Sequence, residues 1–310
     1  MNSGGASRFI FVGGSPRSGT TLIQNMLDSH PDIIGGPEFI HIPDIIDLRE
    51  KLHHSISIEW IDLICSYDDV DNCIRSLIEN LLLPFADKYG GKLLSEKTPQ
   101  NVLVFSELIS LFPEARFIHV VRDPRAIVAS MLQAGVRAKD KEIKTAEFTS
   151  NLNAAINYTK RSLKSGFDAY KIAPDKVVNV VYENLVTNPK SETIKICQFL
   201  KIQWSSQMLH SGRLKHLGEK AITSKSDEIW YDSKAYKRDP EVHHIDKWKT
   251  LLTSMQQATV AMSFKDNEDL TRLGYDFSIN SLNKAYYFIF HLTRRVFARV
   301  KSNVYRRRFK

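Results

Sequence analysis

Residues Gly13 to Leu22 read GGSPRSGTTL, directly after the apolar run RFIFV at 8–12. From Gly14 onward the spacing is that of a phosphate-binding loop, G-x-x-x-x-G followed by two residues. A nucleotide-hydrolysing loop carries Lys and then Ser or Thr at those two positions. Here they are Thr20 and Thr21, and the nearest cation is Arg17, inside the loop. A loop of this kind between a strand and a helix aims successive backbone N–H groups, and the helix N-terminus, at an anion. The hydroxyls of Thr20 and Thr21 can add donors, and the fork of Arg17 suits a tetrahedral oxyanion. What is missing is the lysine that reaches the terminal phosphates of a triphosphate. A glycine-rich match can also be no more than a tight turn, so the flanking pattern decides.

That pattern is strand then helix, repeated. Short apolar runs at 8–13, 92–95, 115–121 and 177–182 read as parallel strands covered on both faces. Helical periodicity occupies 19–29, 68–89, 99–111, 124–134 and 145–171. Asp123 with Pro124 makes a helix start. The alternation predicts an α/β fold, a P-loop-like parallel sheet flanked by helices, with ligands at the carboxyl ends of its strands. The stretch 211–247 is polar and without period, and reads as a long functional loop or lid.

The chain has 310 residues, 43% apolar and 25% charged, which suits a globular protein with a substantial core. Its net charge of +8 is misleading, because residues 281–310 hold nine Lys or Arg and no acid. The first 280 residues carry 34 basic against 35 acidic groups. A near-neutral body argues against nucleic-acid binding, which needs a basic stripe on the folded surface. The division is therefore a domain over 1–280 and a basic amphipathic tail over 281–310. In the tail Tyr286, Tyr287, Phe288, Phe290, Val296, Phe297 and Val300 interleave with arginines. This suits an interfacial helix on anionic lipid or a solvated helix packed on its own domain.

A second anchor is FIHVVRDPRAIVASM at 117–131. Asp123 at its strand end resembles a magnesium carboxylate, but the adjoining Arg122 and the helix start at Pro124 count against that role. Arg122 can instead meet a second phosphate, with Ser130 two turns into the next helix. Together GGSPRSGTTL, FPEARFIHVVRDPRAIVASM and VVYENLVTNP resemble the sulfotransferases that use 3′-phosphoadenosine-5′-phosphosulfate (PAPS). Within that superfamily the chain looks closest to the protein-tyrosine sulfotransferases, through LDSHPDIIGGPEF, SEKTP and RLGYD.

The resemblance implies a single sulfotransferase domain and a set of roles. Arg17, Ser18, Gly19, Thr20 and Thr21 would hold the 5′-phosphosulfate. Arg122 and Ser130 would bind the 3′-phosphate, and Tyr182 would touch the cofactor beside it. Glu38 would be the catalytic base and Lys97 would stabilise charge in transfer, with Ser233 and Lys247 contributed by the late loop. The family's further Arg, four residues after Ser130, is Ala134 here, and Arg137 or Lys139 are the available replacements. PAPS would be the donor and PAP the product, with no metal required. His41, one helical turn from Glu38, competes as base or orienter. His119 reads as a packed core imidazole, as does the aromatic stripe Tyr158, Phe167, Tyr170. Glu96 beside Lys97 reads either as half of a surface ion pair or as a site neighbour.

Sulfuryl transfer needs in-line positioning and neutralisation of the leaving oxygen, which cations and amides supply. A tyrosine phenol, with a pKa of about 10 against about 4.3 for a free Glu, must give up its proton late or to a carboxylate of raised pKa. The expected acceptor is tyrosine in a peptide or protein, acidic around the tyrosine and met by Arg137, Lys139, Lys141 and Lys144 or by Lys234, Lys237 and Arg238. The rival acceptor is a carbohydrate, lipid or small alcohol. More distant readings are a P-loop kinase, disfavoured by Thr20, and a non-enzymatic nucleotide-binding scaffold. Three cysteines, without a C-x-x-C pair, and the lack of an early membrane segment lead to the expectation of a cytoplasmic bacterial enzyme. A homodimer and a peripheral membrane contact through 281–310 are left open.

Overall fold

The computed structural model describes residues 8–213, 216–218, 227–230 and 245–279. The tail 281–310, Ser233, Lys234, Lys237 and Arg238 therefore lie outside the described residues.

At the centre stands β1 (Phe9–Gly14), buried along its whole length. Its alternation sends Phe9 and Phe11 to one face and Ile10 and Val12 to the other, and both sets are fully covered. The loop leads into α1 (Thr20–Asp28), a short strand β2 (Ile33–Gly35), and the helices α2 (Ile42–Ser57) and α3 (Tyr67–Lys88). Strand β3 (Leu93–Lys97) follows, then a 3₁₀ turn Pro99–Val104 and α4 (Phe105–Leu111). Next come β4 (Arg116–Val121), α5 (Pro124–Asp140), α6 (Leu152–Ile172) and β5 (Val177–Val181). The α-helices that follow among the described residues are α7 (Tyr182–Thr187), α8 (Pro189–Leu200), α9 (Asp227–Trp230), α10 (Trp248–Leu251), α11 (Ser254–Phe264) and α12 (Glu268–Arg272).

The five strands form one parallel sheet in the order β2-β3-β1-β4-β5. The chain leaves β1 toward one edge and returns past it to build the other, so the strand order reverses at β1, where ligands gather in such sheets. One face packs Ile10, Val12, Ile118 and Val120 against α1 and α8. The other is aromatic: Phe11 lies 5.2 Å from Phe9, 5.5 Å from Phe117 and 5.6 Å from Phe112, centroid to centroid.

All four expected strands exist. The helix expected over 99–111 divides, because Pro99 opens a 3₁₀ turn before α4. The one expected from 145 begins at 152, where the Asn151 side chain accepts the Ala154 amide as its cap. α5 starts as read, with Asp123 accepting the Arg125 amide and Pro124 at its first turn, but it runs on to Asp140. β2 and α2 were not anticipated: β2 has only three residues, and α2 follows a Gly–Pro turn that reads as loop.

His119 is the core imidazole its mid-strand position implies. Its Nδ1 lies 2.7 Å from Asn179 Oδ1 and its ring meets Phe167 edge-on. Burial pulls its pKa down to about 4, against the Asn179 bond, which favours the charged form. A folded-state pKa below the ordinary value of about 6.5 means stability that is complete above that value and lost as pH falls through 4. In thermal unfolding between pH 8 and 4, the advantage of wild type over His119→Gln is expected to narrow with acidification. A gap independent of pH would refute this.

Candidate active site

The carboxyl ends of β3, β1, β4 and β5 are adjacent in the sheet, and each delivers one of the segments singled out above. After β1 the chain curls: the Ser18 amide donates to the Ser15 carbonyl at 2.9 Å, and Arg17 and Gly19 both take left-handed backbone angles, φ 76° and 103°. Gly19 is required for a second reason. A Cβ there would stand 2.3 Å from the Tyr182 ring, so only glycine lets that ring close onto the loop.

Above Tyr182 lies the Arg122 guanidinium, 4.2 Å from the ring centroid. Arg122 also donates to the Arg17 carbonyl at 3.1 Å, and Arg17 Nε donates to Ser130 Oγ at 2.9 Å. Arg17, Gly19, Arg122, Ser130 and Tyr182, drawn from three strand ends and a helix, thus make one connected group. Thr20, buried, and Thr21, half-buried, open α1 beside them. The hydroxyls of Ser15 and Ser18 are buried and have no hydrogen-bond partner among the described residues. Buried hydroxyls are rarely left so, and a loop shaped around an oxyanion, to which both can donate, accounts for the pair.

The second half of the site sits on β3. Lys97, fully buried, donates to the Glu38 carboxylate, whose side chain is 23% exposed. Glu96 is not the partner of Lys97 in a surface pair, as one reading of the sequence had it. It is buried, and it accepts the Phe39 amide at 3.1 Å, the Thr98 hydroxyl at 2.7 Å and the Asn101 amide. Burial raises its pKa to about 7, opposed by those three donors.

Other expectations fare differently. Lys247 is exposed at the start of α10, and among the described residues no contact joins it to the group; Ser233 lies outside the described residues. His41 is exposed and meets Asp44 at 3.3 Å, apart from the Lys97–Glu38 pair. Tyr158 and Phe167 are packed as expected, on Phe148 and His119, but Tyr170 is 40% exposed and is not core. Arg137 donates to the Ile229 carbonyl at 2.7 Å, and Ala134 is buried in one cluster with Ile229. Lys139, in the last turn of the same helix, and Lys141 and Lys144, after its end, are exposed; Lys139 stands nine residues and so roughly 13 Å past Ser130 along α5. Among the described residues of 211–247, α9 reaches the loop: its Trp230 carbonyl accepts a bond from Arg17.

Glu183 is a residue that sequence reasoning passed over. It accepts the Asp123 amide at 3.0 Å and the Tyr275 hydroxyl at 2.6 Å, tying the start of α5 to the late RLGYD segment. The motifs YEN and LGYD were both visible, but nothing in either named the other as its partner.

A parallel sheet with a glycine-rich anion loop at its switch strand defines a P-loop-like α/β protein. The model of the Sulfotransferase family matches residues 9–206, and the chain belongs to that family. It is a sulfotransferase. The chain is similar to protein-tyrosine sulfotransferase A of Caenorhabditis elegans, 29% identical over 89% of this chain and 70% of that one. It is similar also to protein-tyrosine sulfotransferase 1 of Danio rerio, 30% identical over 88% and 74%. These relatives are animal proteins and lend the expected bacterial origin no support. Among solved structures, the sulfotransferase domain from the curacin biosynthetic pathway superposes with a TM-score of 0.57 at 19% identity, covering 86% of this chain and 97% of that one. A mouse sulfotransferase complexed with PAP gives 0.52 at 18%, covering 86% and 87%. Both likenesses concern the fold.

Ala134→Arg, which introduces the arginine found in the family pattern, is expected to destabilise this protein, since overpacking a core position costs about 1–3 kcal/mol. Calorimetry should read a melting temperature several degrees lower. An unchanged melting temperature would mean that the Ala134–Ile229 contact is not close-packed.

Proposed function

We propose that the protein transfers the sulfuryl group of PAPS to the phenol of tyrosine in a peptide or protein. The observation that carries the reading is the Lys97–Glu38 pair, held at the carboxyl end of β3 beside the anion loop at the end of β1. A carboxylate and an ammonium at that place match a proton acceptor and a charge stabiliser for one transfer. The names of the relatives support the tyrosine acceptor.

PAPS would supply the activated sulfuryl group. The chain's own residues bind, orient and neutralise. The loop amides, with Ser15, Ser18, Thr20, Thr21 and Arg17, converge on the 5′ end of the donor. Arg122, over the ring of Tyr182, and Ser130 take the 3′-phosphate by charge and hydrogen bond. Lys97 faces charge that develops on the leaving oxygen, where a buried cation acts most strongly. Glu38 takes the phenolic proton. Because it begins paired to Lys97, its proton arrives late, as the ammonium turns toward the leaving oxygen.

The test is incubation with radiolabelled PAPS and a panel of tyrosine peptides beside sugars and simple phenols. Labelled tyrosine peptide is the expected product, and label on sugar alone would overturn the acceptor assignment. Glu38→Ala should lower kcat by about 10²–10⁴-fold with peptide, and a wild-type rate would remove Glu38 as base. Arg122→Ala should raise the PAPS concentration needed for half-maximal rate by tenfold or more, roughly what a lost charge-assisted bond is worth. An unchanged requirement would take Arg122 out of the 3′-phosphate site.

A further inference from the structure

Glu38 sits in a turn, Gly36-Pro37-Glu38, whose backbone is pinned on both flanks. Before it, the Gly35 amide donates to Asp28 Oδ1 at 2.8 Å. After it, the Phe39 amide donates to Glu96 Oε1 at 3.1 Å. The first anchor is itself fixed, since the other oxygen of Asp28 lies 2.9 Å from His216 Nδ1. The second rests on β3, because Glu96 belongs to that strand and immediately precedes Lys97. The residue that grips the backbone after Glu38 is therefore covalently next to the residue that grips the Glu38 side chain.

We propose that Glu96 is a positioning residue for transfer: its buried carboxyl, by accepting the Phe39 amide, fixes the turn that aims Glu38 at Lys97. The assignment rests on Glu38 being the base. Its physical basis is the cost of the arrangement. A carboxyl group taken fully out of water is expensive and persists only where donors compensate it. Three donors do so here, and two of them, Thr98 and Asn101, are local to the turn after β3. The third comes from 57 residues away and is the one that crosses to the site. A hydrophobic residue at 96 would fill the same core without any hold on Phe39. Misplacing a reacting group by about 1 Å can cost roughly 10²-fold in rate, so a fixed turn is worth its buried carboxyl.

The chemistry selects the variants. Glu96→Gln keeps a carbonyl oxygen for Phe39 and Thr98, and its amide can donate to Asn101 Oδ1, which is buried and has no hydrogen-bond partner among the described residues. Glu96→Ala keeps nothing. Asn101→Ala removes only the donor on the far oxygen, Oε2. With tyrosine peptide as acceptor, Glu96→Ala is expected to lower kcat at least tenfold while the KM for PAPS changes by less than about threefold. Glu96→Gln should restore kcat to within about threefold of wild type, and Asn101→Ala should lose thermal stability without that loss of kcat. Equal loss of kcat in Glu96→Ala and Asn101→Ala, or a wild-type kcat in Glu96→Ala, would overturn the proposal.

Amide exchange of the wild-type protein provides a readout that needs no variant to fold. The Phe39 amide should be protected, and exchange as fast as an open loop would also overturn the proposal. The two readings fail separately. Wild type that labels no tyrosine peptide defeats the acceptor assignment, and a fully active Glu38→Ala defeats the base, while Phe39 exchange still decides whether Glu96 holds the turn.

Discussion

The site depends on one constraint, that β1 is the central strand of a parallel sheet and must be covered on both faces. Phe9 and Phe11 meet aromatic rings on one side, and Ile10 and Val12 meet α1 and α8 on the other. A strand locked in this way has no freedom at its carboxyl end. Close approach there demands glycine: a Cβ on Gly13 would lie 2.5 Å from the Val102 amide nitrogen. The loop that follows is held against neighbours that are themselves strand ends, so its amides and Arg17 keep their aim without a ligand to organise them.

Charge is distributed across that edge in two groups of opposite design. Around the loop, Arg17 and Arg122 converge, and the protein steadies them with soft or neutral partners: a carbonyl, a hydroxyl and the face of Tyr182. On β3 the opposite holds, since Lys97 is matched by Glu38 and shielded from water. Arginines gathered at the loop and a matched Lys97–Glu38 pair on β3 suit a reaction in which an anion is held at one place and charge shifts at the other.

Much of this was legible in the sequence, and the reasons are local. Strand, loop and helix around GGSPRSGTTL follow from apolar runs and glycine spacing. The start of α5 follows from Asp123-Pro124, and the burial of His119 from its place in mid-strand. Arg122 and Ser130 are eight residues apart on a strand-to-helix junction, so their common side was readable too. Other readings missed for equally definite reasons. Glu96 looked like half of a surface ion pair until burial and the Phe39 amide gave it other partners. That Arg137 meets α9 was not readable either, because α9 is remote in the chain.

The sequence by itself determined the class of fold, the anion loop and the residue types of the site, because periodicity, glycine spacing and strand-end charges act over a few neighbouring residues. Only the tertiary structure decided which of those residues meet. That Gly19 makes room for Tyr182, that Arg17 reaches Ser130, and that Glu96 grips Phe39 while Lys97 grips Glu38 are contacts across 57 to 163 residues of chain. No local pattern encodes them. They exist because parallel strands bring distant segments to one edge of the sheet, where burial forces each polar group to find a partner.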